Sequence, residues 1–270
     1  MYSPEERESY FHRTISALNS SSLIEGIVQI GSGVNGYKDG HSDIDLMVST
    51  TKITDVEEAK KYIHSYFNNL DFLYIKEVQF RESIYLVIAV LENELEFNVS
   101  ILPTDYLSVK SPLWNVIVDK TGNVTEIMER ENKKFTDRPF KYFVSDDIGF
   151  DFFYAMRKFY TELKRNNLIY ALKMLETSRD YILEVQGTNE NKKLHQFKAY
   201  ETLQPDFITK YLQTYPDKLS VDSLLNSADK VIDLFYDTVC QSEIFSLNEV
   251  WLDRGKSKDF MSKIDFTPST

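Results

Sequence analysis

Residues 31–46 read GSGVNGYKDGHSDIDL, a segment that combines glycines, hydroxyls and carboxylates. Three motifs fit some of these letters, and each would bind a nucleotide or its phosphates. Gly31, Gly33 and Gly36 satisfy the spacing of the dinucleotide fingerprint, which needs a strand, a crossover helix and a second strand within about 30 residues. The next strand pattern begins only six positions after Gly36, so a crossover helix does not fit. The phosphate-loop motif also fails, because the lysine and hydroxyl residue that it requires directly after the last glycine are absent.

A glycine-serine pair and two aspartates remain. Gly31 and Ser32 follow an apolar segment predicted as a strand, and ten residues separate them from Asp43. The pattern of residues 42–49 alternates Asp43 and Asp45 with apolar residues, so the strand predicted there presents both carboxylates on one face. Two acids on a strand usually form a solvated face. Their spacing from the glycine-serine turn and the strand on each side favour a functional site instead.

This arrangement resembles the signature of the nucleotidyltransferase superfamily that includes DNA polymerase beta. That signature is Gly-Ser, a spacer of this length, then acid, apolar, acid, and the four residues of this chain match it without a gap. The resemblance implies that Asp43 and Asp45 bind one or two Mg²⁺ ions, since Mg²⁺ takes octahedral oxygen ligands from few protein donors. It also implies that Gly31 and Ser32 hold the β- and γ-phosphates of a nucleoside triphosphate, because glycine lets the backbone approach closely.

The superfamily has a third carboxylate on an adjacent strand, and Glu96 is the candidate for it. Residues 95–102, LEFNVSIL, alternate apolar side chains with Glu96, Asn98 and Ser100, so Glu96 lies on the polar face of a predicted strand. By resemblance, Glu96 completes the metal site, acts as general base toward the acceptor hydroxyl, or does both. We interpret His41, beside the aspartates, as a loop residue, because Mg²⁺ does not favour imidazole.

Two further segments resemble one branch of the superfamily, the enzymes that modify aminoglycoside and lincosamide antibiotics. Residues 116–128, VIVDKTGNVTEIM, are similar to the strand, Asp-x-x-Gly turn and helix that close the first domain of those enzymes. Residues 163–175, LKRNNLIYALKML, are similar to the helix, Lys-Arg turn and second helix that open their helical bundle. Asn166 stands where that branch often has glycine, and asparagine can adopt the same left-handed turn. The resemblance implies ATP as donor, a small hydroxylated acceptor and a role in antibiotic resistance.

The hydrophobic spacing divides the chain into two parts of different class. Strands are predicted at 23–30, 42–49, 72–80, 83–91, 95–102 and 115–118, and helices at 4–19, 56–70 and from near 124. Later helices are predicted at 150–166, 168–185, 192–201, 206–215 and 221–245. We therefore expect an α+β protein. A nucleotidyltransferase fold, with a mixed sheet and flanking helices, forms the catalytic domain over 1–145, and an all-helical bundle forms the substrate-binding domain over 146–270.

Composition limits the partners. The 270 residues are 42% hydrophobic and 27% charged, with a formal charge of −11, which is typical of a globular protein. The acidic balance argues against nucleic acid, because neutralising phosphates needs surplus lysine and arginine, and it is compatible with a cationic acceptor. The longest apolar stretch, 83–91, is about half of what spans a bilayer, so no membrane partner is expected. One cysteine, Cys240, and the polar first residues indicate a cytoplasmic protein without intrachain disulfides.

The sequence thus predicts a Mg²⁺-dependent enzyme in which an acceptor hydroxyl attacks the α-phosphorus of a nucleoside triphosphate and pyrophosphate is released. Two alternatives stay open. A transferase that modifies a protein or RNA would use the same catalytic residues. A non-catalytic nucleotide-binding regulator would bind the triphosphate without releasing pyrophosphate, although the intact acidic triad argues against this alternative.

Overall fold

A computed structural model of the chain describes residues 2–36, 41–138, 145, 147–192 and 199–249. The chain divides into two compact units, Met1–Lys141 and Tyr142–Thr270. The first unit combines a mixed sheet with helices, and the described residues of the second unit form only helices and turns. The predicted fold class, α+β with a helical C-terminal part, is therefore confirmed.

The first unit contains helices packed on a six-stranded sheet. Its helices are α1 (Pro4–Asn19), α2 (Val56–Asn68) and α3 (Asn123–Thr136). Its strands are β1 (Gly26–Ile30), β2 (Ile44–Thr50), β3 (Phe72–Arg81), β4 (Ile84–Leu91), β5 (Glu96–Pro103) and β6 (Trp114–Asp119). Helix α1 begins with a capping box, in which the Glu6 N–H donates to Ser3 Oγ and the Ser3 N–H donates to the Glu6 carboxylate.

The order of strands in the sheet is β3-β4-β5-β2-β1-β6. Strands β2 and β5 are parallel and every other neighbouring pair is antiparallel, so the sheet is mixed. One face of the sheet packs on α1 and α2 through apolar side chains that include Leu18, Ile44, Ile63 and Phe97. The alternation of β2 and β5 therefore leaves their polar residues on the opposite face.

The second unit is helical over its described residues. Its helices are α4 (Ile148–Lys164), α5 (Leu168–Asn189), α6 (Pro205–Leu212) and α7 (Val221–Cys240). Phe152 of α4 and Phe235 of α7 stack in its core, with ring centroids 3.6 Å apart. Asn166, between α4 and α5, has a φ of +55°, so it adopts the left-handed turn that was predicted for it. Most of the helix predicted at 192–201 lies outside the described residues.

Two helices of the second unit end three or more residues earlier than their spacing predicts. Helix α6 ends at Leu212 because the next N–H groups make tighter turn bonds: Thr214 donates to the Tyr211 carbonyl and Tyr215 to the Leu212 carbonyl. Helix α7 ends at Cys240, and Ser242 Oγ then accepts the N–H groups of the two residues at 244 and 245. None of the described helices is both long and apolar enough to cross a bilayer.

Candidate active site

The glycine turn lies directly against one of the predicted acids. Gly31 follows the last residue of β1 and begins the 3₁₀ turn Gly31–Asn35. Its φ is +77°, and its N–H donates to the Leu113 carbonyl. A Cβ atom at Gly31 would lie 2.7 Å from Oδ2 of Asp45. This proximity follows from the ladder, in which Ile30 is the partner of Asp45. Position 31 therefore requires glycine for two reasons: its backbone is left-handed, and the Asp45 carboxylate occupies the place of a Cβ atom.

Asp43 and Asp45 lie on the face of the sheet that α1 and α2 leave uncovered. Asp43 directly precedes β2 and Asp45 is the second residue of that strand, and both side chains are half-buried. The intervening Ile44 and the following Leu46 are fully buried in the core. The alternation of the strand thus places both carboxylates together, as its sequence pattern predicts.

The chain entering β2 is anchored by α1, a contact that the sequence did not predict. The Tyr2 hydroxyl and Nη1 of Arg7 both donate to the carbonyl of Ser42, at 2.9 and 3.3 Å. The Arg7 side chain is only 2% exposed. Because Ser42 immediately precedes Asp43, these bonds fix the backbone that carries the first acid.

Glu96 begins β5, the strand parallel to β2, and lies on the same face. Asn98 is the Cα partner of Asp45, so Glu96, two residues earlier, lies level with Asp43. The Nδ2 amide of Asn98 donates to Asp43 Oδ2 at 3.1 Å and to Glu96 Oε1 at 2.9 Å. The structure therefore brings all three predicted acids to one place. It adds Asn98, whose only signal in the sequence is its position two residues after Glu96 on the polar face.

Negative charge accumulates in this cluster, which we call the acidic site and define as Asp43, Asp45, Glu96 and Asn98. Within the described part of the chain, no lysine or arginine forms an ion pair with Asp43 or Glu96. Their two bonded oxygens lie no more than about 6 Å apart, because both contact the same nitrogen. Two unit charges at that distance repel by about 3 kcal/mol at an effective dielectric of about 20. Asp43 and Glu96 together therefore favour a bound cation.

The donor chemistry fits Mg²⁺ that is shared with a phosphate ligand. Among the residues described, no three histidine, cysteine, aspartate or glutamate side chains are arranged to hold a metal by themselves. Mg²⁺ does not need such a cage, because it commonly binds one or two carboxylates together with substrate phosphates and water. Asp43 and Asp45 supply such oxygens beside the glycine turn. The participation of Glu96 as a third ligand stays a prediction.

The remaining predicted positions surround the acidic site. Ser32 is the second residue of the 3₁₀ turn and its side chain is exposed. His41 is exposed and lies two residues before Asp43. Residues 37–40, in the middle of the spacer, are outside the described part of the chain.

The predicted Asp-x-x-Gly turn is present, but it lies at the other end of the sheet. In β1, Gly26 pairs with Asp119, whereas Ile30 pairs with Asp45. Burial raises the pKa of Asp119, but hydrogen bonds from the hydroxyl and N–H of Thr125 in α3 and from the N–H groups of Gly122 and Thr121 in the turn outweigh it, so the pKa is lowered. A cavity of about 270 Å³ lies at this end, lined by residues that include Glu25, Asp105 and Arg130. None of the residues that line it belongs to the acidic site.

A separate acidic group occurs in the second unit. The Ser145 N–H donates to Glu184 Oε1 at 2.7 Å, and the Ser145 hydroxyl donates to Asp151. Burial raises the pKa of Glu184, and the charge of Asp151 raises it further, whereas the Ser145 hydrogen bond opposes the rise. These bonds hold Ser145, three residues before α4 begins, against α5.

Comparison with known proteins gives structural matches only. No protein-family model and no curated protein matches the sequence. An aminoglycoside 6-adenyltransferase from Bacillus subtilis is 14% identical, the match covers 97% of this chain and 100% of that one, and the TM-score is 0.43. A nucleotidyltransferase-like protein from Exiguobacterium sibiricum is 9% identical over 87% of this chain and 76% of that one, with a TM-score of 0.36. Terminal uridylyl transferase 4 from Trypanosoma brucei, with bound UTP and UMP, is 10% identical over 87% and 69%, with a TM-score of 0.32.

These three solved structures are of the class that the sequence pattern resembles. Their identities of 9–14% and TM-scores below 0.5 say nothing about the activity of this chain. The function proposed below therefore depends on the residues of the acidic site and of the glycine turn.

Proposed function

We propose that the protein is a Mg²⁺-dependent nucleotidyltransferase that moves AMP from ATP to a hydroxyl group of a small molecule and releases pyrophosphate. The observation that carries this proposal is the contact between the glycine turn and the acids. Gly31 lies against Asp45, and Asp43 and Glu96 share one amide on the adjacent strand. A phosphate-binding turn and a cation-binding group are thus close enough to act on one triphosphate.

In this mechanism the backbone N–H groups of the turn and the Ser32 hydroxyl bind the β- and γ-phosphates. Asp43 and Asp45 hold Mg²⁺, which when bound neutralises the phosphate oxygens and favours ionisation of the acceptor hydroxyl. The left-handed conformation of Gly31 starts the turn beside Asp45, so a triphosphate bound by the turn would lie next to the acids. Because the turn directly follows β1 and the acids lie at the start of β2 and β5, strands of one sheet position both elements before the substrate binds.

Glu96 takes the proton of the acceptor hydroxyl. Its Oε1 accepts the hydrogen bond of Asn98, which leaves Oε2 as the atom for the proton. The acceptor oxygen forms a bond to the α-phosphorus, the bond between that phosphorus and the bridging oxygen of pyrophosphate breaks, and the proton passes to Glu96. The reaction needs no oxidant or reductant.

The acceptor is proposed to be a hydroxylated small molecule of the aminoglycoside or lincosamide kind, with the helical unit as the substrate-binding domain. The resemblance of residues 116–128 and 163–175 to antibiotic-modifying enzymes supports this choice, and the formal charge of −11 suits a cationic acceptor. The single cysteine suits a cytoplasmic enzyme. A protein or RNA acceptor would use the same catalytic residues.

The test is pyrophosphate release with Mg²⁺ and each of the four ribonucleoside triphosphates, in the presence of a panel of aminoglycosides and lincosamides. We expect release that depends on ATP and on one class of acceptor. Asp45→Asn serves as the inactive variant and Asp105→Asn, an exposed acid outside the site, as its matched control. Triphosphate binding without release for any acceptor, including proteins and RNA, would contradict the proposal and indicate a regulator.

A further inference from the structure

We infer that Asn98 is the positioning residue of the acidic site, and that its side-chain amide holds Glu96 and Asp43 in the geometry that the reaction needs. The inference rests on the proposed function. It is carried by two hydrogen bonds from one atom, Nδ2, to Glu96 at 2.9 Å and to Asp43 at 3.1 Å. Asn98 is the shared hydrogen-bond partner of Asp43 and Glu96, so it joins the acid that precedes β2 to the acid that begins β5.

The chemistry of the amide fixes its orientation. An asparagine side chain has two N–H donors on nitrogen and an acceptor oxygen, whereas an ionised carboxylate only accepts. With Nδ2 toward the two acids, each N–H meets one carboxylate. With the amide turned over, its oxygen would face two carboxylates and repel both. The two carboxylates therefore fix the orientation of the Asn98 amide, and the amide in turn fixes the positions of the two carboxylates.

The sheet makes Asn98 a rigid support. Strand β5 is bonded to β2 on one side and to β4 on the other, so the backbone of Asn98 is held in two ladders. Its Cα partner on β2 is Asp45, and its partner on β4 is the apolar Ile88. The two N–H groups of the amide therefore donate to Asp43 and Glu96, and Ile88 offers no side-chain acceptor that would compete for them.

The side-chain type explains why an amide suits this position better than an acid. Asp43 and Glu96 carry like charges whose bonded oxygens are close together, so they tend to separate when nothing bonds both of them. A neutral donor joins them without adding charge. An aspartate of the same size would remove both donors and add another negative charge. Asn98 accordingly acts through Glu96 and Asp43 and not on the substrate.

The experiment compares Asn98→Ala and Asn98→Asp with Ser100→Ala, a matched control two residues along the same face of β5. Two quantities are measured: Mn²⁺ affinity by electron paramagnetic resonance, with Mn²⁺ as the probe ion, and kcat and KM of pyrophosphate release. We expect Asn98→Ala to lower Mn²⁺ affinity or kcat by about 10- to 100-fold, as is usual when a group that orients metal ligands is lost. The KM for the acceptor should change much less than kcat.

Asn98→Asp separates positioning from charge. Its added carboxylate should keep Mn²⁺ affinity at or above that of the wild type, while kcat falls as in Asn98→Ala because the donors are gone. It is also nearly isosteric, so it provides the result if Asn98→Ala does not fold, which far-ultraviolet circular dichroism would detect.

The outcomes distinguish this inference from the proposed function. If the wild type releases no pyrophosphate with any acceptor, the proposed function fails, and the Mn²⁺ titrations alone decide whether Asn98 positions the acids. If the wild type is active and both Asn98 variants match Ser100→Ala in Mn²⁺ affinity and in kcat, the inference is wrong. A loss confined to thermal stability, with unchanged Mn²⁺ affinity and kcat, would also overturn it, because a merely structural residue would behave in that way.

Discussion

Replacing Gly31 by alanine tests the contact between the glycine turn and Asp45. Gly31 has a φ of +77°, and an alanine in the left-handed region is less stable by about 1–2 kcal/mol. The added Cβ would also lie 2.7 Å from Asp45 Oδ2, closer than real Cβ contacts allow, so the carboxylate must move. Gly31→Ala therefore combines backbone strain with displacement of one acid.

Gly122→Ala separates these two effects. Gly122 has a φ of +88°, and a Cβ there would meet no atom within 4 Å. It lies in the turn before α3, at the end of the sheet away from Asp45. Both variants should lose about 1–2 kcal/mol of unfolding free energy in urea, because the left-handed strain is common to both. Only Gly31→Ala disturbs the acidic site.

The activities should then differ strongly. A misplacement of about 1 Å in a catalytic group lowers the rate by about 100-fold, which corresponds to about 2.7 kcal/mol of transition-state stabilisation. We expect kcat/KM for pyrophosphate release to fall by that factor in Gly31→Ala and to stay near the wild-type value in Gly122→Ala. Equal kcat/KM in the two variants would refute the role given to the contact between Gly31 and Asp45.

Three further predictions concern single carboxylates. Asp45→Asn should abolish transfer and retain the circular dichroism spectrum of the wild type; unchanged turnover would remove Asp45 from the metal site. The pKa of Glu184 is raised above 4.5 in the folded state. Between pH 4.5 and that raised pKa the folded state keeps the proton and the unfolded state releases it, so the wild type loses stability as the pH rises through this range. Glu184→Gln should lack this loss and be more stable at pH 7 in urea unfolding; a less stable variant would contradict the assignment. The lowered pKa of Asp119 contributes stability above pH 3.8 that is lost as pH falls through the folded-state pKa, so the advantage of wild type over Asp119→Asn should shrink below pH 3.8. An advantage that does not change with pH would show that the hydrogen bonds of the turn do not depend on ionisation.

Local features of the structure were predictable from the sequence because they depend on neighbours along the chain. The capping box at Ser3 needs only residues three apart, and the left-handed turn at Asn166 needs only its own side chain. The alternation of β2 and β5 likewise placed Asp43, Asp45 and Glu96 on polar faces. These patterns were sufficient to identify the acids and the two-part organisation as candidates.

The geometry that joins those residues was not predictable, because it depends on strand register. Asn98 and Asp43 are 55 positions apart, and their hydrogen bond follows from the parallel pairing of β5 with β2. Single-strand alternation does not reveal which strands pair. The sequence likewise does not indicate that Arg7 is buried, because an arginine in the first turns of a helix is usually solvated, whereas here it donates to the Ser42 carbonyl, 35 positions later.

The most direct test of the central claim follows the phosphorus atoms of ATP. The wild type, Mg²⁺ and an acceptor identified by pyrophosphate release are incubated with ATP labelled on the α-phosphate or on the γ-phosphate. Nucleotidyl transfer predicts that the α-label appears in the acceptor and the γ-label in pyrophosphate, with neither change in Asp45→Asn. The γ-label in the acceptor, or both labels remaining in hydrolysed nucleotide and free phosphate, would contradict the account.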